Sequence, residues 1–199
     1  MLRSALLVLA LLHASTLHAK HYEMFTDLGT IYIETYDQQA PLTTENFATY
    51  VADDFYKHLI FHRVIDDFMI QTGGVNTVLE EPETRDPIEN ESRNGLKNVR
   101  GTLAMARWSD PDSADSQFYI NLKANPHLDP TEESLGYTVF AKVDCGMAVV
   151  DAIAKEPVRQ FEAYQHLPAN PVRLIWIKEI ESDNHGYTQC KHQQNSIDS

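Results

Sequence analysis

Basic residues are in short supply. The chain of 199 residues has 16 lysines and arginines against 29 aspartates and glutamates, a formal charge of −13. So acidic a chain lacks the cationic footprint that DNA, RNA or an anionic membrane surface requires, and no nucleic-acid partner is expected. Cysteine is rarer, with Cys145 and Cys190 alone. Two cannot build a disulfide framework, and Cys190 lies in a polar tail, so the reading favours no bridge between them. Long apolar runs are missing beyond the N-terminus, so no later segment should cross a membrane. The nine histidines are scattered without metal-ligand spacing. There is no glycine-rich phosphate loop, no nucleophile elbow and no cysteine beside a base. Neither a metal nor a cofactor is expected. The neighbouring acids Asp66 and Asp67 read as a solvated turn rather than acid–base machinery.

What is present begins with a leader. MLRSALLVLALLHASTLHA has one basic residue, Arg3, an uncharged apolar run over residues 5–12, and small or polar residues up to Ala19. That is the layout of a secretory signal peptide, with cleavage expected after Ala19 and a chain free of the membrane once it is removed. Residues 20–182 are long enough for one domain with a core. Residues 183–199 read as a disordered polar tail. Residues 22–27 and 30–36 form two strands about a tight turn at Leu28-Gly29, with Tyr22, Met24, Ile31 and Ile33 alternating onto one face. Pro41 opens a helix with Phe47, Tyr50 and Val51 as its stripe. Strands follow at 61–71, 101–106, 116–122, 136–143 and 171–181, with a second helix over 146–155. Many short strands with two helices predict an all-β closed sheet rather than α/β. The polar stretch 75–98 is long enough to suggest a functional loop.

One stretch, FHRVIDDFMIQTGG over residues 61–74, resists a plain strand reading because Arg63 sits among apolar neighbours. A surface arginine resting its stem on the sheet would be the ordinary explanation. Met69 and Gln71 are two apart and share one strand face, as do Gln117 and Tyr119, while Phe118 and Ile120 turn to the other side. One surface thus carries an apolar floor fenced by amides and an arginine, a pocket for a compact apolar ring.

FHRVIDDFMIQTGG, GTLAMAR, DSQFYINL and GYTVFAKV, in this order and spacing, resemble the cyclophilin-type peptidyl-prolyl cis-trans isomerases. The likeness runs from about Tyr22 to Glu181, and is greatest to the bacterial periplasmic members. It implies an eight-stranded antiparallel barrel capped by two helices. It also implies catalysis of rotation about X–Pro bonds, whose barrier of about 18–20 kcal/mol arises because amide resonance must be broken. At the twisted transition state the proline nitrogen regains a lone pair, and a fixed donor aimed at it would bind that state selectively. By resemblance Arg63 is that donor and Gln71 supports it. Phe68, Met69, Tyr119 and Leu128 would enclose the proline ring. The backbone of Ala106 and Arg107, with Gln117, would hold the preceding residues, and His127 and Tyr137 would line the rim.

The sequence departs from the family pattern in places. Asp66-Asp67 stand where Pro-Gly is usual, Tyr119 adds a hydroxyl to the usual phenylalanine, and His127 replaces a larger aromatic ring. The last change implies weak binding of cyclosporin. The expected partners are Pro-containing polypeptide segments, met by a monomer in the periplasm or, alternatively, as a secreted protein. Two rival readings are a non-catalytic module binding Pro-containing segments, and an interaction protein using the acidic residues 80–91, whose plainer reading is a solvated face.

Overall fold

A computed structural model describes residues 19–197. The leader lies outside the described residues except for Ala19. Strands β1 (His21–Thr26) and β2 (Gly29–Thr35) pair as the alternation predicts, burying Tyr22, Met24, Ile31 and Ile33. Their turn is closed by Thr26, whose hydroxyl donates to the Gly29 carbonyl at 2.8 Å and accepts from Leu28 N–H at 3.2 Å. Gly29 takes a φ of +132°, which a side chain there would resist.

Helix α1 (Pro41–Ala52) starts at its proline. Ala40 has no side chain that could cap the first turn, and the open N–H groups of Leu42 and Thr43 are taken by the Glu91 carboxylate at 3.0 and 2.8 Å. An acid reaching in from the loop thus does the work of an N-cap and answers the positive helix end. Phe47 and Tyr50 of this helix pack with Tyr22, Tyr56, Phe118 and Phe140 in the main core.

The remaining strands of the large sheet are β3 (Arg63–Ile65), β4 (Met69–Thr72), β5 (Thr102–Met105), β6 (Phe118–Asn121), β7 (Val139–Cys145) and β10 (Leu174–Ile180). Every pairing is antiparallel, in the order β10-β1-β2-β7-β5-β6-β4-β3. The fold is mainly β, with eight strands and helices α1 and α2 (Met147–Ala154) as expected. The expected closure is corrected. β3 and β10 are free edges of a curled half-barrel and do not pair as strands. β3 has three residues before its chain turns, too few to make a seam. The gap is crossed instead by residues 59–61: Leu174 N–H donates to Leu59 O at 2.7 Å and Phe61 N–H to Val172 O at 3.0 Å, about one isolated bridge between Ile60 and Arg173.

A hairpin and a third helix were not foreseen. β8 (Val158–Phe161) and β9 (Tyr164–Pro168) form a separate hairpin, all four residues of β8 being exposed, so no buried face marks it in the sequence. The segment expected to be a disordered tail contains helix α3 (His185–Ile197). Its apolar contact comes from Tyr187 and Cys190, three apart, which pack with Tyr32 and Cys145. Cys145 and Cys190 are joined by a disulfide, against the expectation that they stay apart. The Tyr187 hydroxyl donates to Asp144 Oδ2, and Lys191 Nζ to Asp144 Oδ1 at 3.0 Å. A helix of this length is marginal alone; two anchoring side chains, a covalent link and one ion pair are too sparse a pattern to read from composition.

Candidate active site

The cleft is built by register. Arg63 on β3 stands opposite Gln71 on β4, and Gln71 stands opposite Tyr119 on β6. Arginine, amide and aromatic ring therefore form one row across three strands. Val64, Ile70, Phe118 and Ile120 point the other way into the main core, while Met69, Tyr119, Ala104 and Val139 make a second apolar cluster. The turn between β3 and β4 keeps its sharpness without glycine: Asp67 adopts a φ of +57° and its N–H is held by Asp66 Oδ1 at 3.0 Å. Asp66 and Asp67 reach Lys155 and Lys123, each at 2.7 Å, on the exposed surface.

A cleft of about 350 Å³ is lined by Arg63, Phe68, Met69, Gln71, Ala106, Arg107, Tyr119, Leu128 and Tyr137. Nine of the eleven expected residues thus meet in one place. Gln117 lies in an adjoining pocket that shares Gln71, Ala106 and Arg107 with the cleft. His127 is exposed and stacks on Phe68, ring centroids 5.6 Å apart and planes at 25°, so it abuts the cleft through that ring.

Two arginines flank this space, and their surroundings differ. Arg107 is spent on structure: Nη1 donates to Trp108 O, Nη2 to Leu135 O and Nε to Gly136 O, and its guanidinium lies 4.7 Å from the Tyr137 ring centroid. Arg63 Nη1 donates to Gln71 Oε1 at 3.4 Å. Gln71 Nε2 donates onward to Gln117 Oε1 at 3.0 Å, fixing both amides. Among the described residues no carboxylate forms an ion pair with Arg63. Partial burial lowers its pKa from the ordinary value, with a nearby tyrosine acting against the shift; a guanidinium remains charged regardless.

The extra hydroxyl of Tyr119 has a partner. It donates to Asn98 Oδ1 at 2.8 Å in the interior. Asn98 is itself held by Asp129 Oδ1, which accepts from its N–H at 2.8 Å and its Nδ2 at 3.0 Å. Asn121 and Asn125 continue the lacing, Asn125 Nδ2 donating to the Phe68 carbonyl at 3.0 Å. Leu128 and Tyr137 are held together by the Tyr137 N–H on Leu128 O at 2.9 Å. Gly136 allows that approach, since a Cβ there would fall 2.5 Å from the Leu128 carbonyl.

Several contributors escaped the sequence reading. Trp108, Ser113 and Asp115 wall the pocket around Gln117. His62, next to Arg63 in the quoted motif, is buried, and burial drives its imidazole down to about 4. Residues 163–166 of the small hairpin form a further pocket with His62 and Arg63. Adjacency to Arg63 was a signal for His62; nothing in the sequence pointed to the hairpin.

Fold and cleft together define a mainly-β protein of cyclophilin architecture. A solved Cryptosporidium parvum cyclophilin type peptidyl-prolyl cis-trans isomerase superposes with a TM-score of 0.69 at 24% identity, covering 82% of this chain and 99% of that one. The family model described as cyclophilin type peptidyl-prolyl cis-trans isomerase/CLD matches residues 21–179, and the chain belongs to that family. A peptidyl-prolyl cis-trans isomerase of Acinetobacter baylyi is 48% identical over 186 residues, covering 92% of this chain and 98% of its own. Peptidyl-prolyl cis-trans isomerase B of Escherichia coli is 47% identical over 150 residues, covering 74% and 92%. The chain is an enzyme of this class, a rotamase.

Proposed function

We propose that the chain isomerises X–Pro bonds in exported or unfolded polypeptides, assisting their folding, with Arg63 as the transition-state donor. The observation carrying this reading is the state of Arg63: a cation without a carboxylate partner among the described residues, oriented by Gln71, at the wall of an apolar cleft. In either planar form of the amide the proline nitrogen has no lone pair to offer. As the bond twists, the nitrogen becomes an acceptor, and the guanidinium binds it there more strongly than in either ground state. No bond is made or broken. Phe68, Met69, Tyr119 and Leu128 take the ring, with Tyr137 and His127 at the rim. The residues before proline run along Ala106, Arg107 and Gln117. A second Cryptosporidium parvum structure, 25% identical with a TM-score of 0.68, was determined in the presence of the dipeptide Ala-Pro, which supports a Pro-containing segment as the ligand.

Removing Arg63 tests whether it is the transition-state donor. Arg63→Ala is expected to fold normally and still bind a proline peptide, while its rate in a protease-coupled isomerisation assay falls about 10²–10³-fold, the cost of one charged transition-state donor. Near-normal turnover with an unchanged circular-dichroism spectrum would mean that Arg63 is not the transition-state donor.

The protein acts as a monomer in the periplasm, with full secretion as the alternative. The leader-like residues 1–19 and the Cys145–Cys190 bridge both support an oxidising, exported setting. Cyclosporin binds weakly, because His127 offers less apolar surface than an indole and is already stacked on Phe68. Titration of His127→Trp with the drug should show much tighter inhibition at little altered turnover; equal inhibition of both proteins would remove His127 from the drug site.

A further inference from the structure

Lys20, the residue that follows the expected cleavage point, is held more firmly than the start of a strand requires. Its carbonyl accepts from the Thr35 N–H at 3.0 Å and its side-chain ammonium lies 3.3 Å from Glu179 Oε2. Its backbone nitrogen faces two acceptors, Thr35 Oγ1 at 3.2 Å and Asp37 Oδ2 at 3.3 Å. Asp37 is a buried carboxylate, 7% exposed. Its Oδ2 also accepts from the Thr35 hydroxyl at 2.5 Å. The ion pairs among the described residues leave Asp37 with no lysine, arginine or histidine partner.

A buried carboxylate answered only by neutral donors is costly unless a charge is brought to it. In the uncleaved chain Lys20 offers one amide proton to two acceptors, and both contacts are long. Cleavage after Ala19 would turn the same nitrogen into an ammonium with three protons and a positive charge at the same place. We propose that Asp37 and Thr35 form a receptor for the newly made α-ammonium of Lys20, so that removal of the leader completes a buried ion pair and locks β1 onto the sheet. This rests on the export reading for the position of the cleavage, and on nothing in the isomerase chemistry. The uncleaved chain folds with this pocket half answered, and the mature chain is the more stable form.

The test uses chains with defined N-termini, released from a cleavable fusion: one beginning at Lys20 and one retaining five leader residues from Ser15. Each is made with and without Asp37→Asn, and urea unfolding is followed. The chain beginning at Lys20 is expected to have an unfolding equilibrium constant on the order of tenfold smaller than the extended chain, the difference between a charged and a neutral hydrogen bond. Asp37→Asn should abolish that difference. Equal stability of the two native-sequence chains overturns the proposal, as does a difference that survives Asp37→Asn. If Asp37→Asn does not fold, Nα-acetylation of the chain beginning at Lys20 replaces it: loss of the advantage supports the pair, and an unchanged midpoint refutes it. Mass analysis of the exported protein addresses the premise separately. A mature N-terminus other than Lys20 overturns the cleavage reading whatever the defined chains show.

Discussion

The cleft and the clamp between β2, β7 and α3 use polar groups in opposite ways. Around the cleft, hydrogen bonds join the amides Gln71 and Gln117 and the asparagines beneath Tyr119, and the row ends in Arg63, whose charge no carboxylate neutralises among the described residues. At the clamp every charge is answered: Asp144 receives the Tyr187 hydroxyl and Lys191, Lys142 reaches Glu34 at 3.1 Å, and a disulfide holds the arrangement shut. Desolvation would raise the Asp144 pKa, yet these donors hold it below the ordinary carboxylate value. The difference teaches which region is set up for work and which for persistence. Satisfied charges have nothing left to offer a ligand.

Breaking the clamp should produce the largest loss of stability. The bridge spans a sequence separation of 45 residues, and opening a loop of that size by Cys145→Ser with Cys190→Ser costs roughly 3–4 kcal/mol by chain entropy. The urea midpoint and the helical circular-dichroism signal should both fall, while turnover per folded molecule is unchanged. Impaired turnover in fully folded variant would mean that clamp and cleft are coupled.

Acid should strike next, from the side of the cleft. Burial lowers His62 to about 4, below its unfolded value of about 6.5. The neutral ring's contribution is therefore complete above about pH 6.5 and is lost as pH falls toward 4, about 3 kcal/mol in all. Unfolding measured across that window should slope steeply for the native chain and less for His62→Gln. Parallel slopes would show that His62 is not the group responsible.

The smallest effect concerns the loop. Glu91→Ala removes the carboxylate from Leu42 and Thr43 at the start of α1 and should cost about 1–2 kcal/mol. A denaturation midpoint unmoved by the change would mean that water replaces the cap in full.

The same loop shows where sequence reading stops. The shared faces of Met69 with Gln71 and of Gln117 with Tyr119 were legible because strand alternation is local, whereas the register that sets Gln71 opposite Tyr119 joins distant strands. Within residues 75–98 the acids Glu80, Glu81, Glu83, Asp86 and Glu89 are exposed, as the solvated-face reading has it, but Glu91 and three asparagines make the segment a strap as well. Asn90 Nδ2 donates to Gly136 O at 3.1 Å and Asn94 Nδ2 to Val139 O at 2.9 Å, while Asn98 supports Tyr119. Their partners lie 46, 45 and 21 residues away, so no local pattern marks them. A solvated Glu91 and a helix-capping Glu91 are the same letter. The disulfide and α3 were missed for a related reason, since two anchoring side chains in a polar segment leave no periodicity. The closed barrel was an inference from strand count, which does not report whether the last edge is long enough to pair.

That unsealed edge has a consequence for how the molecule meets other chains. An open ladder offers any passing strand a row of unpaired backbone groups, and would collect polypeptide without regard to its sequence. Here residues 59–61 occupy part of the β10 edge, and β9 packs beside β3. A visiting chain is denied the easy zipper along this stretch of the seam. It is left to compete for the cleft, where side-chain shape decides whether it stays.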